Sequence, residues 1–294
     1  MDTTPTLSII TINLNNHDGL KRTIDSVVCQ TFTDYEWIVI DGGSTDGSRK
    51  LIEQYADHFA YWCSEPDKGI YNAMNKGIAH AHGEWLQFLN SGDWLYEKTT
   101  LEKVFSKEYD ADVLYGNGIM SDSNDLVIYP SKLSLSYVTK HNINHQASFY
   151  KAHLFKDNYY NEDYHVISDY LTILGFIVTG KVFEYINQLI VYIEAGGISS
   201  TQESSNEIAK TNNIIPPIIQ RDLDKLEEIE EQKRFINSHK SLKIINNLNE
   251  KIINYLGTII RKTEKKKAQR DASFNRSSVS GARDGNSADG LTGC

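Results

Sequence analysis

The chain has 294 residues, of which 40% are hydrophobic and 23% charged, and its formal net charge is −9. This profile is typical of a soluble protein with one large domain and an appendage. The acidic balance argues against a nucleic-acid partner, which favours basic faces. The three cysteines form no CxxC pair, which favours a reducing, cytoplasmic compartment. No apolar run reaches the roughly 18 residues that cross a bilayer, and the first 16 residues do not resemble a signal peptide.

Strand-like and helix-like patterns alternate through the first 90 residues. The spacing of apolar residues predicts strands at 7–14, 36–41, 60–65 and 84–90, separated by helices at 19–30, 46–59 and 69–81. This order predicts parallel strands joined by right-handed crossovers. The strands are apolar on both faces, which is typical of a sheet covered by helices on each side.

The pattern changes after Asp93. Helices are predicted at 100–107 and 168–180, and strands at 111–120, 125–130, 145–150 and 181–194. Residues 1–205 are therefore predicted to form one α/β domain with a mixed sheet and flanking helices.

The C-terminal third has a different composition. Residues 206–262 predict a helical extension, and the polar residues 263–294 predict a disordered tail. An apolar stripe at helical spacing runs from Leu242 to Ile259 and is followed by basic residues from Arg261 to Lys267. Two interpretations stay open: a peripheral contact with the inner face of the plasma membrane, or a helix packed on the domain or on a second subunit in a homodimer.

Polar segments follow each of the four predicted parallel strands. Ligands bind beyond the carboxyl ends of such strands, so we expect Asp41, Asp67 and Asp93 to lie along one edge of the sheet. The segment "DGGSTDGS" that begins with Asp41 lacks the GxGxxG and Walker patterns. It fits either a tight turn with an Asx cap or a site where Asp41 accepts hydrogen bonds from a base or ribose. The segment "NSGD" fits either a helix cap by Asp93 or a Mg²⁺ or Mn²⁺ ligand, with Gly92 permitting close approach of the ligand to the backbone.

Five segments together resemble the family 2 glycosyltransferases: "LSIITINLNN", "IVIDGGSTDGS", "SEPDKGIYNAMNKGI", "WLQFLNSGD" and "HQASFY". The resemblance covers roughly residues 7–200. It implies a GT-A fold, a Rossmann-like mixed sheet that binds a nucleotide-sugar donor. It also implies transfer of the sugar with inversion at the anomeric carbon.

The resemblance implies roles for particular residues. The donor pocket would be formed by Thr11, Asn13, Asp41, Asp67, Lys68, Asn75, Lys76, Ser91, Gly92 and Ser199. Asp93 matches the final carboxylate of the metal-binding motif, so Mn²⁺ or Mg²⁺ would be the cofactor. The fullest form of that motif often has aspartate where Gly92 stands, so metal affinity without the donor should be low.

The second half of the domain should supply the base and the acceptor site. By resemblance Asp169 is the base that deprotonates the acceptor hydroxyl, and His145 and Gln146 contact the acceptor or the diphosphate. A structural interpretation stays open for each: Asp169 as a carboxylate stabilised at a helix N-terminus and His145 as a buried structural histidine. The segment "EAGGIS" (194–199), which ends with Ser199, resembles a family loop that orders over the donor, but it also fits an ordinary glycine turn.

The expected activity is non-processive, because the chain lacks a QxxRW-like segment and transmembrane helices. The sugar would pass from a UDP-sugar to a glycan or lipid-linked acceptor of a bacterial surface polysaccharide, such as capsule or O-antigen. The alternatives are a catalytically silent nucleotide-sugar-binding subunit and a nucleotidyltransferase. This chain lacks the basic N-terminal loop that a nucleotidyltransferase would use, because no Arg or Lys precedes Lys21.

Overall fold

The computed structural model describes residues 4–156, 159–197 and Glu207. The predicted extension at 206–262 (apart from Glu207), the tail at 263–294 and Ser199 lie outside the described residues. Within the described part, nine strands form one sheet.

The first half of the domain is the predicted alternation of strands and helices. Its elements are β1 (Leu7–Asn13), α1 (His17–Val28), β2 (Tyr35–Asp41), α2 (Ser48–Gln54), β3 (Tyr61–Ser64), α3 (Ile70–Ala79) and β4 (Trp85–Phe88). β1 lies parallel to both β2 and β4, and β2 lies parallel to β3. The predicted parallel arrangement is confirmed.

The second half adds shorter elements and mixed pairing. They are β5 (Trp94–Leu95), α4 (Thr100–Val104), β6 (Val113–Met120), β7 (Leu126–Val127), α5 (Leu135–Lys140), β8 (Ser148–Lys151), α6 (Ser168–Val178) and β9 (Phe183–Ile193). β8 is antiparallel to β4 and β6, β9 is parallel to β6, and β5 is antiparallel to β9. The strand order of the sheet is β3-β2-β1-β4-β8-β6-β9-β5, and β7 pairs with β6. The mixed sheet expected for a GT-A fold is therefore present.

Three local predictions differ from the structure. The helix predicted at 46–59 ends at Gln54 and continues as a 3₁₀ turn, Ala56–His58. The strand predicted at 145–150 begins with a second 3₁₀ turn, His145–Ala147, because this segment bends back toward β4. The sequence pattern did not predict α5 and β5, which have six and two residues and are too short to show a period.

The sheet is buried on both faces, as the apolar strands predicted. Alternate β1 residues point to opposite sides, with Ile9 packing among residues of α1 and Ile10 among residues of α3. At the start of α1 the side-chain oxygen of Asn16 accepts a hydrogen bond from the backbone N–H of Gly19 at 3.1 Å, an ordinary N-cap. Among the described residues, no helix is long and apolar enough to cross a membrane.

Candidate active site

The carboxyl ends of β1, β2 and β4 lie side by side along one edge of the sheet, here called the carboxyl rim. The loop after β1 is hydrogen-bonded to the loops that follow β2 and β4. The backbone N–H of Asn15 donates to Ser44 Oγ at 2.7 Å. Asn16 Nδ2, on the other side, donates to the carbonyl of Ser91 at 3.3 Å. The rim is therefore one connected surface.

Asp41 is fully buried at the end of β2 and held by several donors. It accepts hydrogen bonds from Asn13 Nδ2 at 2.7 Å and Ser64 Oγ at 2.6 Å. Ser44 donates its backbone N–H at 3.0 Å and its Oγ at 2.5 Å. Burial raises the pKa of Asp41, but the hydrogen bonds from Ser44, Ser64 and Asn13 outweigh it, so the pKa lies below its ordinary value. Asp41 is thus an ionised anchor of the turn as well as a candidate contact for a nucleobase.

The β1 residues predicted to flank a base are buried beside Asp41. Thr11 Oγ1 accepts a hydrogen bond from the indole N–H of Trp37 at 3.0 Å. Asn13 lies at the strand end, and within the described residues its Oδ1 is buried without a hydrogen-bond partner. Buried polar atoms are normally paired, so Asn13 Oδ1 is suited to receive an N–H from a ligand.

The segment after β3 brings Asp67 to the same edge. Asp67 Oδ1 accepts the backbone N–H of Gly69 at 2.9 Å, and its carboxylate lies against Gly42, where a Cβ would collide with Oδ2. The side chain of Lys68 is exposed. This segment therefore presents one carboxylate and one cation beside the Asp41 turn.

Asn75 and Lys76, on α3, have structural partners. Asn75 Nδ2 donates to the carbonyl of Tyr160 at 2.9 Å, and its Oδ1 accepts the backbone N–H of Tyr160 at 2.9 Å. Lys76 Nζ pairs with Glu65 Oε1 at 2.7 Å. Asn75 therefore ties α3 to the segment before α6, and Lys76 ties it to the end of β3.

The NSGD turn (residues 90–93) delivers Asp93 to the carboxyl rim. Asp93 precedes β5, and the N-cap of α4 is Thr99, so the interpretation of Asp93 as a helix cap is wrong. Its Oδ1 accepts the backbone N–H of Glu194 at 2.9 Å. Asp93 is 4% exposed, and burial raises its pKa to about 6, although this hydrogen bond and the neighbouring side chains of His145 and Gln146 lower it.

Glu194, at the end of β9, is a site residue that the sequence did not reveal. Its Oε2 accepts a hydrogen bond from Asn16 Nδ2 at 2.9 Å, and its Oε1 pairs with Arg22. The carboxylate lies directly over Gly92, so close that a Cβ there would overlap it. Gly92 thus admits a protein carboxylate to the NSGD turn, in the place where we expected a ligand. Glu194 lies 101 residues after Asp93, and no local pattern marks it.

Alanine at Gly92 should lower the free energy of unfolding by about 1 to 3 kcal/mol, because φ is +101° there and the new Cβ would displace Glu194. Gly175 provides the matched control, since it lies inside α6 with nothing within 4 Å of an added Cβ. Gly175→Ala should stabilise by roughly 0.5 to 1 kcal/mol. Urea unfolding of both variants measures this, and equal effects of the two would contradict the close packing at Gly92.

Asp169, at the start of α6, is nine-tenths buried among donors. Tyr71 Oη donates to its Oδ1 at 2.8 Å, and His145 Nδ1 lies 3.0 Å from its Oδ2. Burial raises the pKa of Asp169, but His145, Tyr71 and the backbone N–H of Tyr170 outweigh it, so the pKa lies below its ordinary value. Asp169 is therefore ionised at neutral pH. A carboxylate has about four acceptor sites, which leaves room for an acceptor hydroxyl.

His145 joins Asp169 to the NSGD turn. Its Nε2 lies 3.0 Å from Asn90 Nδ2. The next residue, Gln146, contacts Asp93 through its side chain and accepts Gln87 Nε2 on its backbone carbonyl at 3.0 Å. The structure thus brings four predicted residues into one group: Asp93, His145, Gln146 and Asp169. Sequence reasoning missed the partners Tyr71, Gln87 and Asn90, because neutral residues in apolar elements carry no chemical signal.

A divalent cation fits beside Asp93 only with help from a ligand. The described residues hold no group of three or more His, Cys, Asp or Glu side chains that could bind a metal ion. Asp93 and Glu194 nevertheless flank Gly92 with two carboxylates, and the charge of Glu194 raises the pKa of Asp93. Carboxylate oxygens suit Mg²⁺ and Mn²⁺, which complete their coordination with substrate phosphates and water.

The family of this chain follows from comparison with known proteins. The model of glycosyl transferase family 2 matches residues 8–172, more than half of the chain. A PGL/p-HBAD biosynthesis glycosyltransferase of Mycobacterium bovis BCG is 36% identical over 67% of this chain and 80% of its own length. The chain belongs to glycosyl transferase family 2, and it is a glycosyltransferase. An uncharacterized glycosyltransferase of Mycobacterium tuberculosis H37Rv is 38% identical over 58% of this chain and 68% of its own.

Solved structures share the fold. Staphylococcus aureus TarS in complex with UDP-GlcNAc has a TM-score of 0.57 at 20% identity, over 68% of this chain and 60% of that one. The mannosyltransferase PcManGT from Pyrobaculum calidifontis, in complex with GDP-Man and Mn²⁺, has a TM-score of 0.52 at 17% identity, over 64% of this chain and 57% of its own. The match thus spans less than two thirds of these neighbours. The GT-A fold expected from the sequence is confirmed, and nucleotide-sugar-dependent glycosyl transfer is the supported class of activity.

Proposed function

We propose that this enzyme transfers one sugar, with inversion, from a UDP-sugar to a glycan or lipid-linked acceptor of a bacterial surface polysaccharide. The observation that carries the proposal is the pair of buried carboxylates, Asp93 and Asp169, joined through His145 and Gln146 at the carboxyl rim. Inverting transfer needs a base on the acceptor and positive charge at the departing diphosphate. One carboxylate suits each need.

The residues would divide the work as follows. Asp169 accepts the proton of the acceptor hydroxyl as that oxygen attacks the anomeric carbon. Asp93 holds Mn²⁺ or Mg²⁺, which when bound supplies positive charge to the leaving UDP. Asn13 Oδ1 and the Asp41 turn face the nucleobase, while Asp67 and Lys68 line the nucleoside side. Asn75 and Lys76 support α3 and would affect the donor indirectly, since both side chains have protein partners.

The donor and acceptor assignments have separate support. The structure of TarS with UDP-GlcNAc supports a uridine donor, whereas PcManGT was solved with GDP-Man. The M. bovis relative carries the name of a PGL/p-HBAD biosynthesis enzyme. Capsule and O-antigen remain the destinations we propose for a glycan product.

Thermal unfolding with UDP, GDP, dTDP and CDP, each with and without Mn²⁺, tests the donor class. UDP with Mn²⁺ should raise the unfolding midpoint most. A ligand that binds only the folded state stabilises it by about 2.7 kcal/mol when its concentration is 100 times its Kd. A larger shift with GDP would overturn the uridine assignment. Failure of all four nucleotides to shift the midpoint would contradict the proposed function.

Measuring UDP release distinguishes an active enzyme from a catalytically silent subunit. A silent subunit would bind UDP-sugar with Mn²⁺ but release no UDP, either to an acceptor or by slow hydrolysis. The intact Asp169–His145 pair favours an active enzyme, because it places a carboxylate that can act as the base required for transfer. Release of UDP from UDP-GlcNAc and UDP-Glc, followed by chromatography, distinguishes the two.

A further inference from the structure

The side chain of His145 spans the gap between α6 and the NSGD turn. Nδ1 lies 3.0 Å from Asp169 Oδ2, and Nε2 lies 3.0 Å from Asn90 Nδ2. The His145 and Asp169 side chains are only 14% and 12% exposed. Both ring nitrogens therefore face protein partners, which differs from the acceptor or diphosphate contact that the sequence suggested for His145.

The partners of the ring define which nitrogen carries the proton. The Asp169 carboxylate only accepts hydrogen bonds, so Nδ1 carries the proton that is donated to it, while Nε2 faces Asn90. Tyr71 donates to the other oxygen of the same carboxylate at 2.8 Å. Two donors on two different elements thus fix the plane of the Asp169 carboxylate.

The 3₁₀ turn that carries His145 is itself anchored. The carbonyl of Gln146 accepts Gln87 Nε2 at 3.0 Å, from the buried strand β4. On the other flank the backbone N–H of Asn144 donates to Tyr129 Oη at 2.9 Å, and the Asn144 carbonyl accepts Ser148 Oγ at 3.0 Å. The turn is therefore fixed to β4 on one side and to the segment after β7 on the other.

Two consecutive residues of this turn contact the two carboxylates of the proposed reaction. His145 Nδ1 lies within hydrogen-bond distance of Asp169, and the Gln146 side chain lies close enough to Asp93 to lower the pKa of its carboxyl group. The spacing of α6 relative to the NSGD turn is thus set by one dipeptide. A displacement of about 1 Å between reacting groups costs on the order of 100-fold in rate, so this spacing matters for catalysis.

We propose that His145 and Gln146 are positioning residues that fix the Asp169 carboxylate relative to the Asp93 turn, with His145 Nδ1 as the contact on which catalysis depends. This inference rests on the proposed function, because it assigns Asp169 and Asp93 the roles given above. It differs in assigning neither His145 nor Gln146 to a substrate. The two contacts of His145 can be separated by substitution.

The decisive comparison is His145→Asn against His145→Gln, in the full chain. An asparagine amide nitrogen stands near the place of Nδ1 and keeps a donor for Asp169, whereas a glutamine amide reaches the place of Nε2. We expect His145→Asn to lower kcat by no more than about 5-fold and His145→Gln to lower it by about 100-fold. Both should keep the Kd for UDP with Mn²⁺ within about 2-fold of the wild type. His153→Gln, at an exposed histidine of the next 3₁₀ turn, is the matched control and should leave kcat unchanged.

Each outcome supports or overturns the inference. Equal losses in the asparagine and glutamine variants, or a greater loss in the asparagine variant, would overturn it. A loss that appears only as weaker UDP binding would show a substrate contact and would also overturn it. Failure of the wild type to bind any nucleoside diphosphate would instead contradict the proposed function, so the two failures are distinguishable.

A measurement on the folded wild type avoids any dependence on variants that fail to fold. Nitrogen-15 NMR of the histidine rings at neutral pH should show His145 with its proton on Nδ1. Gln146→Leu should leave that signal in place. Absence of a proton from Nδ1 of His145 in the wild type would overturn the inference without any assay of activity.

Discussion

Asparagine in place of Asp93 should abolish the Mn²⁺-dependent stabilisation by UDP and lower kcat for sugar transfer by about 100- to 1,000-fold. The substitution preserves an acceptor oxygen for the Glu194 backbone N–H and removes only the negative charge. The metal would lose its one fully buried carboxylate, and the departing diphosphate would lose its counter-charge. Thermal unfolding with UDP and Mn²⁺, together with assays of UDP release, measures both effects.

The same variant should be more stable than the wild type when no metal or nucleotide is bound. Burial raises the pKa of Asp93 to about 6, so the folded protein holds a proton that the unfolded chain releases near pH 4. Stability therefore falls as pH rises from about 4 through 6, and the ionised carboxylate costs about 1 to 3 kcal/mol at pH 7.5. Asp93→Asn should recover that amount at pH 7.5 and almost none at pH 4.

The matched control for Asp93→Asn is Glu108→Gln, which removes an exposed carboxylate away from the turn. It should change neither the response to Mn²⁺ nor the pH dependence of unfolding. Retention of Mn²⁺-dependent UDP binding by Asp93→Asn would show that residues other than Asp93 bind the metal. An Asp93→Asn variant that is less stable than the wild type at pH 7.5 would contradict the predicted destabilisation by the buried, ionised carboxylate.

Asparagine in place of Asp169 should lower kcat by about 100- to 10,000-fold while leaving the Kd for UDP within about 2-fold. The amide cannot accept a proton from the acceptor hydroxyl. The folded pKa of Asp169 is lowered, so its contribution to stability is present above the unfolded pKa and is lost as pH falls through the lower folded value. The activity of the wild type should accordingly persist on the acidic side, until other groups titrate.

Asp163→Asn is the control for the base, because Asp163 is an exposed carboxylate in the segment just before α6. It should keep full activity. Asp169→Asn turns an amide N–H toward either Tyr71 or His145, and we expect a loss of about 1 to 3 kcal/mol in stability. Kinetics should therefore be measured well below the unfolding midpoint. Equal kcat in Asp169→Asn and the wild type would show that another residue acts as the base.

The nucleotide half of the fold could be predicted from the sequence because its signal is local. The strands from β1 to β4 and the helices between them repeat apolar residues at clear periods, and their order alone implies the row of polar ends at the carboxyl rim. The second half was harder to predict. β5 exists only because Trp94 and Leu95 find partners on β9, nearly a hundred residues later, and the sequence does not encode that pairing in any short window.

The candidate site followed the same division. Asp93 and Asp169 were found from short motifs, whereas Glu194 was not, because it reaches the NSGD turn through long-range pairing. Gly92 shows the limit of local interpretation. Its small size indicated close approach of a ligand to the backbone, whereas the structure shows the carboxylate of Glu194 in that place and a φ of +101°.

The late position of β9 has a consequence for how the enzyme is made. The hydrogen bond from Glu194 to Asp93 joins residues 101 positions apart, and the family match ends at residue 172. At a synthesis rate of about 5 to 20 residues per second, the NSGD turn waits roughly 5 to 20 s for this partner after it is made. A nascent chain that stalls before β9 would hold every predicted donor-site residue except Ser199 but would lack the backbone partner of Asp93. The chain should therefore become able to transfer sugar only after β9 has been synthesised. Chains that stop before β9 should be unable to consume nucleotide-sugar.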